Sequence, residues 1–176
     1  GYNIGIDSNS ITSVKKIEGG EEPKFIPPSK PDVKETLPKI SILGTGGTIA
    51  SRIDYKTGAV NPAFSAEELY SIIPELSAYA NINTELISNI ASEQMNPENW
   101  KNMAEKIIEK ISDGNQGIVI GHGTDTMAYT SAALSFALVN CPIPVIITGA
   151  QRSTDRPSSD ASLNMISSVI VASENR

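Results

Sequence analysis

Three short runs along the chain are apolar at almost every position and close on a glycine: KISILG (39–44), GIVIG (117–121) and PVIITG (144–149). A strand with one wet face alternates, so unbroken runs of this length predict strands covered on both faces. INTELI (82–87) does alternate and predicts a further strand. Helical patterns fill the gaps between them. SAEELYSIIPEL (65–76) starts at Ser65, with Glu68 three residues on in capping-box spacing. Asn96-Pro97 predicts the next helix start, with proline at the first helical position. Trp100, Met103, Ala104, Ile107, Ile108 and Ile111 then mark one apolar face. TMAYTSAALSFALV (126–139) and SDASLNMISSVIVAS (159–173) predict two more helices. Apolar strands joined by helices imply an α/β fold, a mostly parallel sheet with helices on both faces.

The first 38 residues break this rhythm. Prolines 23, 27, 28, 31 and 38 alternate with Lys, Glu and Asp, which predicts an extended, semi-rigid linker rather than a packed element. GYNIGI before it reads as the last strand of an upstream domain. The expected division is therefore 1–38 as domain end and linker, and 39–176 as one α/β domain that is incomplete at its C-terminal end. Both ends of the chain read as cuts, since it opens without methionine and closes at VIVASENR in the last turn of a helix.

Charge and composition narrow the function. A net charge of -6 makes direct binding of a phosphate backbone by this chain unfavourable, without speaking to a basic partner. A single cysteine, Cys141, cannot form an intrachain disulfide and fits a reducing compartment. No apolar run approaches membrane-spanning length, and no basic-then-apolar leader is present, so a cytoplasmic protein is expected.

Ligands of open parallel sheets bind at the carboxyl ends of strands, and three strands here run into loops rich in hydroxyls. These are GTGGTIAS (44–51), GHGTDTM (121–127) and TGAQRSTDRPSSDA (148–161). The first lacks the lysine of a phosphate-binding P-loop and misses the third glycine of the dinucleotide pattern. It is either a plain strand-to-helix turn or a tight turn that brings the backbone close to a ligand, with Thr48 at the strand end. In the second loop Thr124 adjoins Asp125, and a threonine hydroxyl needs a base or relay to act as a nucleophile. The chain's only histidine, His122, lies two residues before Thr124. A His–Thr dyad and a neutral imidazole that holds the loop by hydrogen bonds are both compatible with that spacing. One His and one Cys cannot supply a zinc site. The third loop carries Arg152, Asp155, Arg156 and Asp160 and reads as a solvated, internally ion-paired loop.

GTGGTIAS followed by HGTDTM resembles the bacterial-type asparaginase/glutaminase amidohydrolase family, in which each motif carries an active-site threonine. The resemblance covers about residues 39 to 176 and implies the flavodoxin-like N-terminal domain of that family. GYNIGI, the proline-rich linker and GAQRSTDRPSSDA (149–161) resemble the branch that forms glutaminase subunits of archaeal glutamyl-tRNA(Gln) amidotransferases. That branch implies hydrolysis of glutamine, with the ammonia used by a partner E subunit to amidate Glu-tRNA(Gln). It further implies a homodimer through the asparaginase-like domains and tRNA contacts mainly through the partner. No cofactor is implied for this subunit, since ATP and Mg act on the partner.

Matched residue by residue, the resemblance makes Thr48 the primary nucleophile and Tyr55, in YKTGAV, the mobile-loop tyrosine that pairs with it. Ser92 and Glu93, in NIASEQM, fall where the family binds the α-amino and α-carboxyl groups of its substrate. Many asparaginases have Gln at the second of these positions. Thr124 and Asp125 match the second threonine and the substrate-binding aspartate, which leaves His122 as loop scaffolding. The family's second triad also includes a lysine, and no lysine follows Lys110 here. The expectation is a segment that is inactive alone. Two other readings stay open: a stand-alone L-asparaginase, and a non-catalytic binding module.

Overall fold

The computed structural model describes residues 7–13, 15, 31–46, 51–53, 60–62, 65–152 and 158–174. Its centre is a four-stranded sheet formed by β1 (Lys39–Gly44), β4 (Asn81–Leu86), β5 (Gly117–Gly121) and β6 (Val145–Thr148). The order is β4-β1-β5-β6 and every pairing is parallel. A separate antiparallel pair, β2 (Ser51–Ile53) with β3 (Val60–Pro62), stands apart from it in the pairing.

Strand periodicity sorts the core into two layers. Ile40 and Ile42 of β1, Ile82 of β4 and Val119 of β5 point to one face, where α1 (Ala66–Ile72) and α4 (Ala161–Ser173) pack. Leu43, Ile118 and Ile120 point to the other, against α2 (Pro97–Ser112) and α3 (Met127–Ala137). All of these strand side chains are fully or almost fully buried. Each contributes roughly 1.5–3 kcal/mol of transfer free energy, which is why the runs lack polar alternation. The one polar side chain in the middle of β1, Ser41, is buried and its hydroxyl has no partner among the described residues.

The predicted helices are present, with three instructive differences. Ser65 and Glu68 do form a reciprocal capping box at the start of α1. The helix nevertheless stops at Ile72, and Pro74–Ala78 continues as a 3-10 turn. Proline disfavours the α region for the residue before it, and Ile73 accordingly leaves the helical conformation at φ -133°, ψ 74°. On α2, Asn96 and Asn99 cap reciprocally ahead of Pro97, and Met103 and Ile107 are buried as expected, whereas Ile108 is exposed. Ile108 falls one residue past Ile107 and so turns out of the seam with the sheet. The last helix starts at Ala161, two residues later than its sequence pattern suggested.

Part of the proline-rich stretch is docked on the domain. Asn81, at the start of β4, accepts from the Lys34 N–H at 2.9 Å and donates to the carbonyls of Lys34 and Leu37, both at 2.8 Å. Lys34 Nζ also donates to the Ser77 carbonyl. GYNIGI and residues 16–30 lie outside the described residues.

Helix and sheet approach each other tightly at Gly117, the first residue of β5. A Cβ built there would run into the Ala172 carbonyl of α4 and stand 2.9 Å from Ile40 Cδ1. Because the main obstacle is backbone, it cannot rotate away. Gly117→Ala is expected to lower the unfolding free energy by about 3 kcal/mol, read as a fall in the urea midpoint at unchanged slope.

Candidate functional site

In this strand order β1 leads to α1 on one face and β5 leads to α3 on the other. The helices that follow these neighbouring strands thus lie on opposite faces, the arrangement that places a ligand crevice above the carboxyl ends of the strands. Its two walls are tied at the base. Both the backbone N–H and the Oγ1 of Thr45 donate to the Gly121 carbonyl at 3.0 Å.

The segment after β4 closes one side of the crevice. Ile87 N and Ser88 N donate to the Gly44 carbonyl, Ile90 N donates to the Thr45 carbonyl, and Ser88 Oγ donates to the same carbonyl. These contacts carry the segment across the end of β1 toward β5. There a short 3-10 turn, Ser92–Gln94, meets the loop after β5. The Thr126 hydroxyl donates to the Ser92 carbonyl at 2.7 Å. A Cβ at Gly123 would stand 2.8 Å from Ser92 Cβ and 2.9 Å from Ser92 Oγ, so only glycine permits this approach. The Ser92 side chain is buried, and its Oγ has no hydrogen-bond partner among the described residues. A buried hydroxyl without a partner is a rare and costly arrangement.

His122 is completely buried, and both its ring nitrogens are engaged. Nδ1 lies 2.7 Å from the Gly123 carbonyl, and Nε2 lies 2.9 Å from Thr130 Oγ1 on α3. The His–Thr124 dyad that the spacing allowed is therefore not formed, and His122 holds its own loop. Thr124, half-buried, and Asp125, exposed, sit just beyond it. Glu93 is exposed as well. Both carboxylates thus stand at solvent-facing positions on the two loops that meet through Ser92 and Gly123.

The third loop comes from β6. His122 N donates to the Thr148 carbonyl at 2.8 Å. A Cβ at Gly149 would stand 2.7 Å from the His122 carbonyl and 3.0 Å from Thr124 Cγ2, so the β6 loop lies directly against Thr124. Asp160 fixes this loop in a way the sequence did not suggest. It is not ion-paired among the described residues; its carboxylate accepts from Gln151 N at 3.0 Å and Arg152 N at 3.0 Å. Asn164 Nδ2 donates to the Gly149 carbonyl at 2.9 Å and lies within reach of the Asp160 carboxylate. The Gln151 and Arg152 amides, foremost among its partners, hold the Asp160 carboxyl below its usual range.

Four of the six residues singled out from sequence, Ser92, Glu93, Thr124 and Asp125, are thus brought onto two touching loops. Thr48 and Tyr55 lie outside the described residues, as do Asp155 and Arg156. Lys110 is committed to Glu85, 2.7 Å away, in a pair that links α2 to β4. Lys110 and then Lys106 hold the Glu85 carboxyl below its usual range. Among the described residues no group of three or more His, Cys, Asp or Glu side chains is placed to hold a metal ion. Sequence reasoning did not anticipate the contacts of Gly123 and Gly149 or the role of Asp160. The one signal present in the sequence was the glycine on either side of His122 and at the end of β6.

Comparison with known proteins bears on this arrangement. Residues 39–176 match the family model "Asparaginase, N-terminal". The chain belongs to the asparaginase family. It is 55% identical over 175 residues to the D subunit of glutamyl-tRNA(Gln) amidotransferase from Methanococcus maripaludis strain C7, covering 99% of this chain and 42% of that protein. The D subunit from Pyrococcus furiosus is 53% identical over 167 residues, covering 94% of this chain and 38% of that one. Among solved structures, the thermostable L-asparaginase from Thermococcus kodakarensis superimposes with a TM-score of 0.67 at 39% identity. That match covers 76% of this chain and 40% of the asparaginase. The chain therefore spans about two fifths of the length of these relatives. Within the asparaginase family, the α/β architecture expected from the sequence is the one observed.

The Asp160 clamp gives a pH-dependent expectation. A carboxyl whose folded value is depressed adds stability above its unfolded value, near 3.9 for an ordinary aspartate. That stability is lost as pH falls through the lower folded value. Asp160→Asn is expected to lower the urea midpoint at pH 7, with the gap to the unsubstituted protein shrinking as pH falls below about 4. A gap that stays constant down to about pH 2.5 would count against the clamp.

Proposed function

We propose that this chain is the N-terminal catalytic part of a glutaminase subunit that serves tRNA-dependent amidation of Glu-tRNA(Gln). The observation that carries the reading is the meeting of Ser92 with the Gly123–Thr124 loop: a buried hydroxyl, unpartnered among the described residues, beside a half-buried threonine at the switch point of the sheet. Such a hydroxyl suits a small polar substrate that supplies the missing bond. The 50–55% identity to the D subunits of archaeal glutamyl-tRNA(Gln) amidotransferases supports glutamine as that substrate and the E subunit as partner.

In this reading Thr48 Oγ1 attacks the carboxamide carbon, the C–N bond breaks, and ammonia leaves as its nitrogen takes up a proton. The resulting threonyl ester is then hydrolysed by water to glutamate, which splits one hard step into two easier ones. Tyr55 pairs with Thr48. Thr124 acts as the second threonine, and Asp125 supplies a negative charge to the substrate's α-ammonium group. Ser92 donates to the α-carboxylate. Glu93, as an anion, suits the ammonium and disfavours a pose with the carboxylate beside it. No cofactor is needed for these steps; ATP and Mg act on the partner, which also carries most tRNA contacts. The subunits pair as homodimers through their asparaginase-like domains, in the cytoplasm. Residues 1–38 join this domain to an upstream one.

A second reading is favoured by one observation, the 39% identity to a solved L-asparaginase. Substrate preference separates the two. In the longer protein of which this sequence forms part, Thr48→Val or Thr124→Val is expected to abolish ammonia release from glutamine, measured by a coupled glutamate dehydrogenase assay. Faster release from asparagine than from glutamine would favour the asparaginase reading. The 176-residue polypeptide by itself is expected to release little or no ammonia, because the lysine of the family's second triad does not follow Lys110 in it.

A further inference from the structure

Trp100, on α2, and Thr130, on α3, have no place in the reading above, yet they end in a continuous hydrogen-bonded chain at the Thr124 loop. Trp100 Nε1 donates to Thr130 Oγ1 at 3.0 Å, and Thr130 Oγ1 lies 2.9 Å from His122 Nε2. His122 Nδ1 then lies 2.7 Å from the Gly123 carbonyl. Donor chemistry fixes the direction of the two end links. An indole nitrogen only donates, and a carbonyl oxygen only accepts. Nδ1 must therefore carry a proton. In the neutral ring Nε2 is then the acceptor for the Thr130 hydroxyl, whose oxygen is already taking the Trp100 proton. Thr130 and His122 are both fully buried, so water does not compete for these bonds.

The end of the chain is a peptide carbonyl, and that gives it a consequence. In a planar trans peptide the C=O and the following N–H point in opposite directions. The Gly123 carbonyl is turned inward to the imidazole. The Thr124 N–H is therefore turned away from the buried ring, and Thr124 itself is half-buried. Among the described residues, none accepts a backbone bond from it.

We infer that His122 is a positioning residue, locked by Trp100 and Thr130, that sets the Gly123–Thr124 peptide plane and so presents the Thr124 N–H to the substrate. The inference rests on the proposed crevice being the reacting site. His122 acts through the backbone and does not itself touch the reacting atoms.

Two substitutions divide the imidazole's functions. His122→Asn keeps a donor near the Nδ1 position, and His122→Gln places its amide near Nε2 and out of reach of the Gly123 carbonyl. In the full-length protein, His122→Asn is expected to retain a substantial fraction of kcat for glutamine. His122→Gln is expected to lose about tenfold more, less than the roughly 10²–10³ lost when a donor at the reacting centre is removed outright. KM should stay within about twofold in both. A merely structural histidine would give the two variants equal rates or shift KM with kcat, and either result overturns the inference. Should His122→Gln fail to fold, the tautomer decides. In ¹⁵N-histidine-labelled protein at neutral pH, the imidazole signal that disappears in His122→Asn should show a protonated Nδ1 and a bare Nε2. A protonated Nε2 overturns the inference. Thr124→Val in the same protein keeps the two questions apart. Full activity there defeats the proposed function, while the tautomer spectrum still decides for or against the hydrogen-bonded chain.

Discussion

Pairing β1 directly beside β5, with the chain leaving the two strands toward opposite faces, is the constraint on which everything above the sheet depends. Parallel neighbours whose following helices shared a face would close over the strand ends. Here they diverge, and the double donation from Thr45 to the Gly121 carbonyl holds the two walls at a fixed spacing. The loop after β4 uses that gap as a track, hydrogen-bonding to residues 44 and 45 on its way to Gly123. The loop after β6 reaches the same point from the other side through Gly149. Three loops from distant parts of the chain therefore meet at Gly123 and Thr124, with the carboxylates of Glu93 and Asp125 exposed beside them.

The way each loop is held follows from that arrangement. Interior contacts are made by backbone, hydroxyl and imidazole groups: Thr126 to Ser92, His122 to Gly123, and His122 N to the Thr148 carbonyl. Neutral bonds cost little to bury when each group is satisfied. Charge enters one layer out, where Asp160 grips two backbone amides of the β6 loop. A carboxylate on fixed amides loses less conformational freedom than one on a long side chain, and the restraint falls on the main chain itself. Ser92 Oγ departs from this economy, being buried and unmatched among the described residues.

Much of the fold was legible in sequence because burial on both faces forces unbroken apolar runs, and capping residues mark helix starts. The failures have local causes. Pro74 ended α1 early at a position the periodicity alone carried through, and Ile108 fell outside the seam by one residue. Strands of three residues, as in β2 and β3, are too short to show a period. For the site, motifs pointed to Thr124 and Asp125, while the neighbours of Thr124 were invisible. Ser92 approaches Gly123 across 31 positions of sequence, and Asp160 reaches back to residues 151 and 152 through loop geometry that no pattern encodes. The histidine was ambiguous in sequence because spacing says where a ring can point but not what meets it. Burial and two bonded nitrogens decide the matter.

The indole that begins the hydrogen-bonded chain to His122 belongs to the only tryptophan among the 176 residues. Its Nε1 is bonded to a hydroxyl on the helix that follows the Thr124 loop. Indole emission responds to the hydrogen bonding and polarity around its nitrogen, so the chain carries a built-in optical probe three hydrogen bonds removed from the Gly123 carbonyl. A change at that hydroxyl would register in the emission of a side chain that lies on α2, outside the loops that carry Ser92 and Thr124.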